Sequence, residues 1–126
     1  KKPIPPEVER AEKIAKRYLK KIADKVIEDE PIMYIFGKPV KLGVSLLDHR
    51  GEIFEFLVSA SVTYRIRTEE KDYGVSGTTS VGTIRIRGNE VISPPTKEEM
   101  YHLIIEGLAK GYFDSILYTG IRGLKQ

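Results

Sequence analysis

Apolar and polar residues alternate along the middle of the chain. In the segment 52–68 apolar side chains occupy every even position from Phe54 to Ile66, and most residues between them are polar. This period of two is typical of a β-strand with one buried face and one face in solvent. The same even phase appears at 40–46 before this segment and at 84–86 after it. We therefore expect antiparallel strands that share one apolar face.

Turn-forming residues divide this region into strands. Gly51 suits the end of a turn at 48–51, and Gly88-Asn89 suits a two-residue hairpin turn. A short apolar run at 32–36 could add a further strand. We place the four main strands at 40–47, 52–68, 75–87 and 90–93. Matching the apolar faces predicts a register with Asp48 opposite Glu52, Leu46 opposite Phe54, Val58 opposite Ile84, Phe56 opposite Ile86, and Arg87 between Glu55 and Glu90.

Two segments carry the signature of helices. Residues 6–29 place apolar side chains at steps of three and four, behind a proline suited to a first helical turn. A second helix begins at the capping box formed by Thr96 and Glu99. We expect Gly111 to end it. For residues 112–126 the sequence leaves a closing strand and a further helical turn open.

These elements predict an α+β fold. We expect one domain over residues 1–126, with an antiparallel meander of four to five strands and both helices packed on its apolar face. A chain of 126 residues can bury a core without disulfide or metal support, and this chain has no cysteine. The order of a long helix before a meander resembles cystatin and NTF2-like architectures, which implies a pocket between helix and sheet. Tyr34, Tyr64 and His102 would be its polar groups.

The polar face of the predicted sheet carries arginines near both ends. Because the chain has a net charge of +3, a polyanionic partner is only mildly favoured by charge as a whole. The alternation nevertheless exposes these arginines, so our first hypothesis is a non-catalytic protein that binds nucleic acid through its phosphates. The residues predicted for this contact are Lys41, Arg65, Arg67, Arg85, Arg122 and Lys125.

Small polar residues occupy the same face between the arginines. A flat surface of this kind suits a second subunit, so the alternative hypothesis is a homo-oligomeric assembly module. The predicted oligomer face consists of Ser45, Ser59, Ser61, Thr63, Thr79, Val81 and Thr83, and the edge strand is the other candidate surface. The solvent face of the first helix is rich in lysine. We interpret it as ordinary solvated surface, with a nucleic-acid or membrane-surface helix as the alternative.

The sequence indicates no catalytic residue, no cofactor and no metal site. The two histidines, His49 and His102, have no evident partner, and no ligand spacing typical of zinc or calcium occurs. No apolar run reaches the roughly 20 residues of a membrane span, so we expect a soluble, cytoplasmic protein. Asn89 and Gln126 are the only side-chain amides, and 31% of the residues are charged, a composition typical of thermophiles.

Overall fold

The sheet is an antiparallel meander with two helices against one face. The computed structural model describes residues 5–28, 41–67, 69–70 and 72–124. The four strands lie side by side in chain order, which confirms the predicted α+β class. The run at 32–36 lies outside the described residues. The elements are α1 (Pro6–Glu28), β1 (Lys41–Arg50), β2 (Ile53–Arg67), β3 (Asp72–Arg87), β4 (Glu90–Ser93) and α2 (Lys97–Leu124).

The even phase of β2 faces the core, as the alternation predicts. Each of its seven even-numbered side chains is at most 8% exposed, from Phe54 to Ile66. Helix α1 adds small and aliphatic side chains to the same buried cluster, among them Ala15 and Leu19.

The first hairpin has a different turn from the predicted one. Arg50 pairs with Ile53 across a two-residue turn, in which Gly51 has a φ of 60°. A bulge at Leu47 then shifts the register, so that Leu46 lies opposite Phe56. The predicted pair of Leu46 with Phe54 was therefore wrong, because the turn is shorter and β1 carries one extra residue.

The second hairpin is displaced by two residues from the prediction. Phe56 lies opposite Ile84, and Glu55 lies opposite Arg85 rather than Arg87. A shift of two residues keeps every side chain on its face, so alternation alone does not distinguish the two registers. The Gly88-Asn89 turn is confirmed, with Arg87 opposite Glu90.

A bulge at Val81 reverses the phase of β3. Val58 pairs with Gly82, but the next residue of β2, Ser59, pairs with Ser80. The prediction that Val81 and Thr79 belong to the polar face was therefore wrong. Val81 is 3% exposed, and Thr79 lies opposite the buried Ala60 on the helix side of the sheet. The hydroxyls that take their place on the polar face are Ser76, Thr78 and Ser80.

Helix α2 continues through Gly111 to Leu124, so the predicted end at Gly111 was wrong. Two glycines bring this helix against the sheet. A Cβ at Gly107 would lie 2.5 Å from Cγ1 of Val81, and a Cβ at Gly111 would overlap the hydroxyl of Tyr64. These glycines therefore serve close packing rather than helix termination.

Candidate anion-binding cleft

A cleft of about 1040 Å³ lies between α1, the β3–β4 turn and the start of α2. The wall formed by α1 carries mostly positive side chains. The wall formed by the β3–β4 turn carries polar, acidic and apolar ones. Neither wall was included in the site predicted from the sequence. The lining residues are Pro6, Glu9, Arg10, Lys13, Ile14, Arg17, Tyr18, Lys21, Asn89, Glu90, Val91 and Lys97.

Four cations of the cleft form a stripe along α1. Arg10, Lys13, Arg17 and Lys21 follow one another at steps of three and four residues, so they lie on one side of the helix. At a rise of 1.5 Å per residue the stripe is about 17 Å long. It therefore offers a line of positive charges rather than a single charged group.

Contacts to the opposite wall hold α1 in place. Nη2 of Arg10 donates a hydrogen bond of 3.1 Å to Oδ1 of Asn89 in the β3–β4 turn. Nζ of Lys97, the first residue of α2, lies 5.8 Å from the ring centroid of Tyr18. Burial raises the pKa of the Tyr18 hydroxyl above its usual value, so this side chain stays neutral further into alkaline solution. The stripe is thus supported by three elements.

Five cations and two carboxylates line the cleft, which leaves an excess of three positive charges. Nζ of Lys13 lies 3.4 Å from the carboxylate of Glu9, but both side chains are more than half exposed, so this pair contributes little. Among the described residues, neither Arg17 nor Lys21 has a carboxylate within ion-pair distance. These two side chains can accept an external anion without breaking an internal pair.

Two arginines predicted for the sheet face also lie near carboxylates. Nε of Arg85 contacts Oε2 of Glu55 at 2.9 Å, and Nη2 of Arg65 lies 3.8 Å from Oδ2 of Asp72. Ten residues of β2 separate Arg65 from Glu55, which places the two arginines roughly 30 Å apart. The structure does not bring these predicted residues together.

The remaining predicted contacts do not form a cluster within the described residues. Lys41 is exposed beside a groove of about 440 Å³ on the sheet, where it is the sole cation among hydroxyls such as Thr63 and Ser76. The side chains of Arg67 and Arg122 lie outside the described part of the chain, as does Lys125. The groove therefore has hydrogen-bonding groups but little charge.

The polar groups proposed for a helix–sheet pocket have internal partners. The hydroxyl of Tyr64 donates a hydrogen bond of 2.8 Å to the carbonyl oxygen of Leu108, and His102 lies 3.9 Å from Glu98 on the same helix. Tyr34 lies outside the described residues. The ring of His49 stacks on Phe54 at 4.0 Å between centroids. Of the pocket groups, Tyr64 is therefore held in the core, whereas His102 is exposed on the surface of α2.

No group of three histidine, aspartate or glutamate side chains in the described ranges is placed to hold a metal ion. Neither helix, over its described residues, has a stretch long and apolar enough to cross a bilayer. Comparison with models of protein families, with curated proteins and with solved structures finds no match to this chain.

The cleft was missed because its two walls are distant in sequence. The lysines of α1 were assigned to a solvated face, and nothing in the sequence places Asn89 or Lys97 beside them. The available signal was the spacing of Arg10, Arg17 and Lys21, which share one helical side at multiples of about 3.6 residues. That spacing is common in soluble helices and becomes informative only when a second wall faces it.

Proposed function

We propose that this protein binds nucleic acid through phosphate contacts in the α1 cleft, without base-specific recognition. The observation that supports this most is the stripe of Arg10, Lys13, Arg17 and Lys21 facing Lys97 across an open cleft. A nucleic-acid strand carries one negative charge at every phosphate, so a line of cations about 17 Å long can contact several successive phosphates.

The proposed partner is nucleic acid, as predicted from the sequence, but the proposed binding surface is the α1 cleft instead of the polar face of the sheet. On the sheet, Arg85 already contacts the carboxylate of Glu55 at 2.9 Å, and an anion would have to compete with that contact. In the cleft, Arg17 and Lys21 have no such competitor among the described residues. A polyanion gains more where cations are not already neutralised, since release of its counterions drives the binding.

Salt dependence tests the proposal. We would measure the anisotropy of a fluorescein-labelled single-stranded DNA with the full chain over a range of salt concentrations. With four to five phosphate contacts, log K should fall against log salt with a slope of about −3, which weakens binding roughly fifty-fold between about 50 and 200 mM salt. Absence of binding at the lowest salt would overturn the proposal.

A matched pair of variants separates the cleft from overall charge. Arg17→Gln with Lys21→Gln removes two cleft cations, and Lys16→Gln with Lys20→Gln removes two charges from the same helix outside the cleft. The cleft variant should lose about tenfold in affinity, and its salt slope should fall in magnitude by about 1.5. The control variant should lose much less. Equal losses in the two variants would contradict binding in the cleft.

A further inference from the structure

Among the described residues, no strand lies beside the outer edge of β1. This strand is ten residues long, and within the described ranges it pairs with β2 on its inner side. Within the described ranges, no backbone hydrogen bond from a turn or loop reaches its outer side. An exposed edge of this length presents unpaired N–H and C=O groups to which another strand can add.

The core-facing side of β1 is only partly covered. Leu46 is 40% exposed, and Leu42 and Val44 are half-buried, although all three point toward the helix layer. On the next strand, Val58 lies directly opposite Val44 and is fully buried. The apolar side chains of β1 are therefore less buried than those of β2, and a further strand at this edge would cover more of their surface.

We propose that β1 pairs with β1 of a second copy of this chain, antiparallel and centred on Val44. In that register Val44 faces Val44 of the other copy, and Leu42 faces Leu46 in two equivalent places. Opposite residues of an antiparallel pair share a face, so these apolar side chains extend the existing apolar layer. The two sheets become one sheet of eight strands about a two-fold axis.

Charge complementarity favours this register. The bulge at Leu47 puts Asp48, rather than Leu47, into the pairing position after Leu46, as the pairing with β2 already shows. In the centred dimer Asp48 therefore lies opposite Lys41 of the second copy, on the polar face. Both side chains are exposed in the single chain, where Asp48 lies 3.0 Å from Nε of Arg50 in a solvent-exposed pair that contributes little. The symmetry makes this opposite-charge pair twice, and it makes no like-charge pair between these positions.

Light scattering coupled to size exclusion tests the state of the full chain. The account expects a species of twice the 14.3 kDa chain mass that dissociates on dilution. Lys41→Asp and Asp48→Lys should each weaken the dimer about tenfold, because each places like charges opposite each other in two positions. The double variant Lys41→Asp, Asp48→Lys exchanges the charges and should restore dimerisation.

The charge exchange distinguishes this interface from any other. Each single variant changes only exposed side chains, and a circular dichroism melt of each variant verifies that the fold is intact. A wild-type chain that stays monomeric at the highest concentration overturns the proposal. So does a dimer that neither single variant weakens, or one that the double variant fails to restore. None of these outcomes depends on whether the α1 cleft binds nucleic acid.

Discussion

The hydroxyl of Tyr64 on β2 donates a hydrogen bond of 2.8 Å to the main-chain carbonyl oxygen of Leu108 on α2. Tyr64 is 3% exposed, and the helix approaches it closely because residue 111 is a glycine. Burial, and to a smaller extent the carboxylate of Asp114, raises the pKa of Tyr64 to about 12. This one contact joins the sheet to the middle of α2.

Stability should fall in alkaline solution because of Tyr64. Below pH 10 the hydroxyl is protonated in both the folded and the unfolded chain, so its contribution is fully present. Between pH 10 and about 12 the unfolded chain loses this proton while the folded chain keeps it, which lowers the free energy of unfolding by up to roughly 2–3 kcal/mol. Urea titrations across this range measure the fall, and Tyr64→Phe should show a shallower one.

Tyr64→Phe should also destabilise the protein at neutral pH by about 1 kcal/mol, since it removes one buried hydrogen bond and no apolar contact. Tyr18→Phe is the matched control, because the described residues show no hydrogen bond from its hydroxyl. Chemical denaturation of the two variants gives the comparison. An equal cost for both would mean that the Leu108 contact contributes nothing specific.

Gly107→Ala should destabilise the protein despite the better helix propensity of alanine. The propensity gain is about 1 kcal/mol, but the added Cβ would lie 2.5 Å from Cγ1 of Val81 and 3.0 Å from its Cα. Overpacking of this kind costs roughly 1–3 kcal/mol, so the net change in unfolding free energy should be unfavourable. Thermal melts of the variants measure this change. Lys110→Ala, at an exposed position on the same helix, should leave the stability nearly unchanged. A stabilised Gly107→Ala variant would show that α2 does not pack on Val81 as described.

Glu90→Gln should tighten nucleic-acid binding. Glu90 lines the cleft, and removing its unit charge at about 8–10 Å from a bound phosphate through solvent is worth about 0.5 kcal/mol, or roughly twofold in affinity. Glu106→Gln makes the same charge change on the exposed surface of α2 outside the cleft and should have a smaller effect. Anisotropy titrations at low salt, where the effect is least screened, provide the test.

Arg85→Gln should leave nucleic-acid affinity within about twofold of the wild type, because Glu55 already neutralises this arginine at 2.9 Å. Its expected effect is on stability, at most about 1 kcal/mol, since Arg85 is 57% exposed and the pair is screened by solvent. A double-mutant cycle with Glu55→Gln measures that coupling. A large loss of affinity in Arg85→Gln would restore the sheet face as the binding surface.

The alternation in β2 was sufficient to predict its buried face, because every second residue from Phe54 to Ile66 is apolar. The phase of β3 beyond Val81 could not be predicted in this way. One extra residue at a bulge reverses every later side chain, and the sequence marks it only by Gly82, whose φ is 126°.

The candidate site depended on contacts that no local pattern contains. Gly111 is a typical helix end by sequence, but the helix continues through it, and Tyr64 packs where a side chain at this position would lie. By sequence, the lysines of α1 are typical of a solvated face. In the structure, Arg10 of the same helix is hydrogen-bonded to Asn89, so the β3–β4 turn forms a second wall beside them. Helices and strands could therefore be predicted from local periodicity, whereas the cleft is a product of tertiary packing.

Mapping of backbone amide shifts by NMR tests the central claim most directly. The chain is titrated with a short single-stranded DNA at low salt, and the shifted amides are placed on the sequence. The account predicts the largest shifts at residues 10–21 of α1, at 89–91 in the β3–β4 turn and at Lys97. Shifts confined to the polar face of β1, β2 and β3, or no shifts at all, would contradict it.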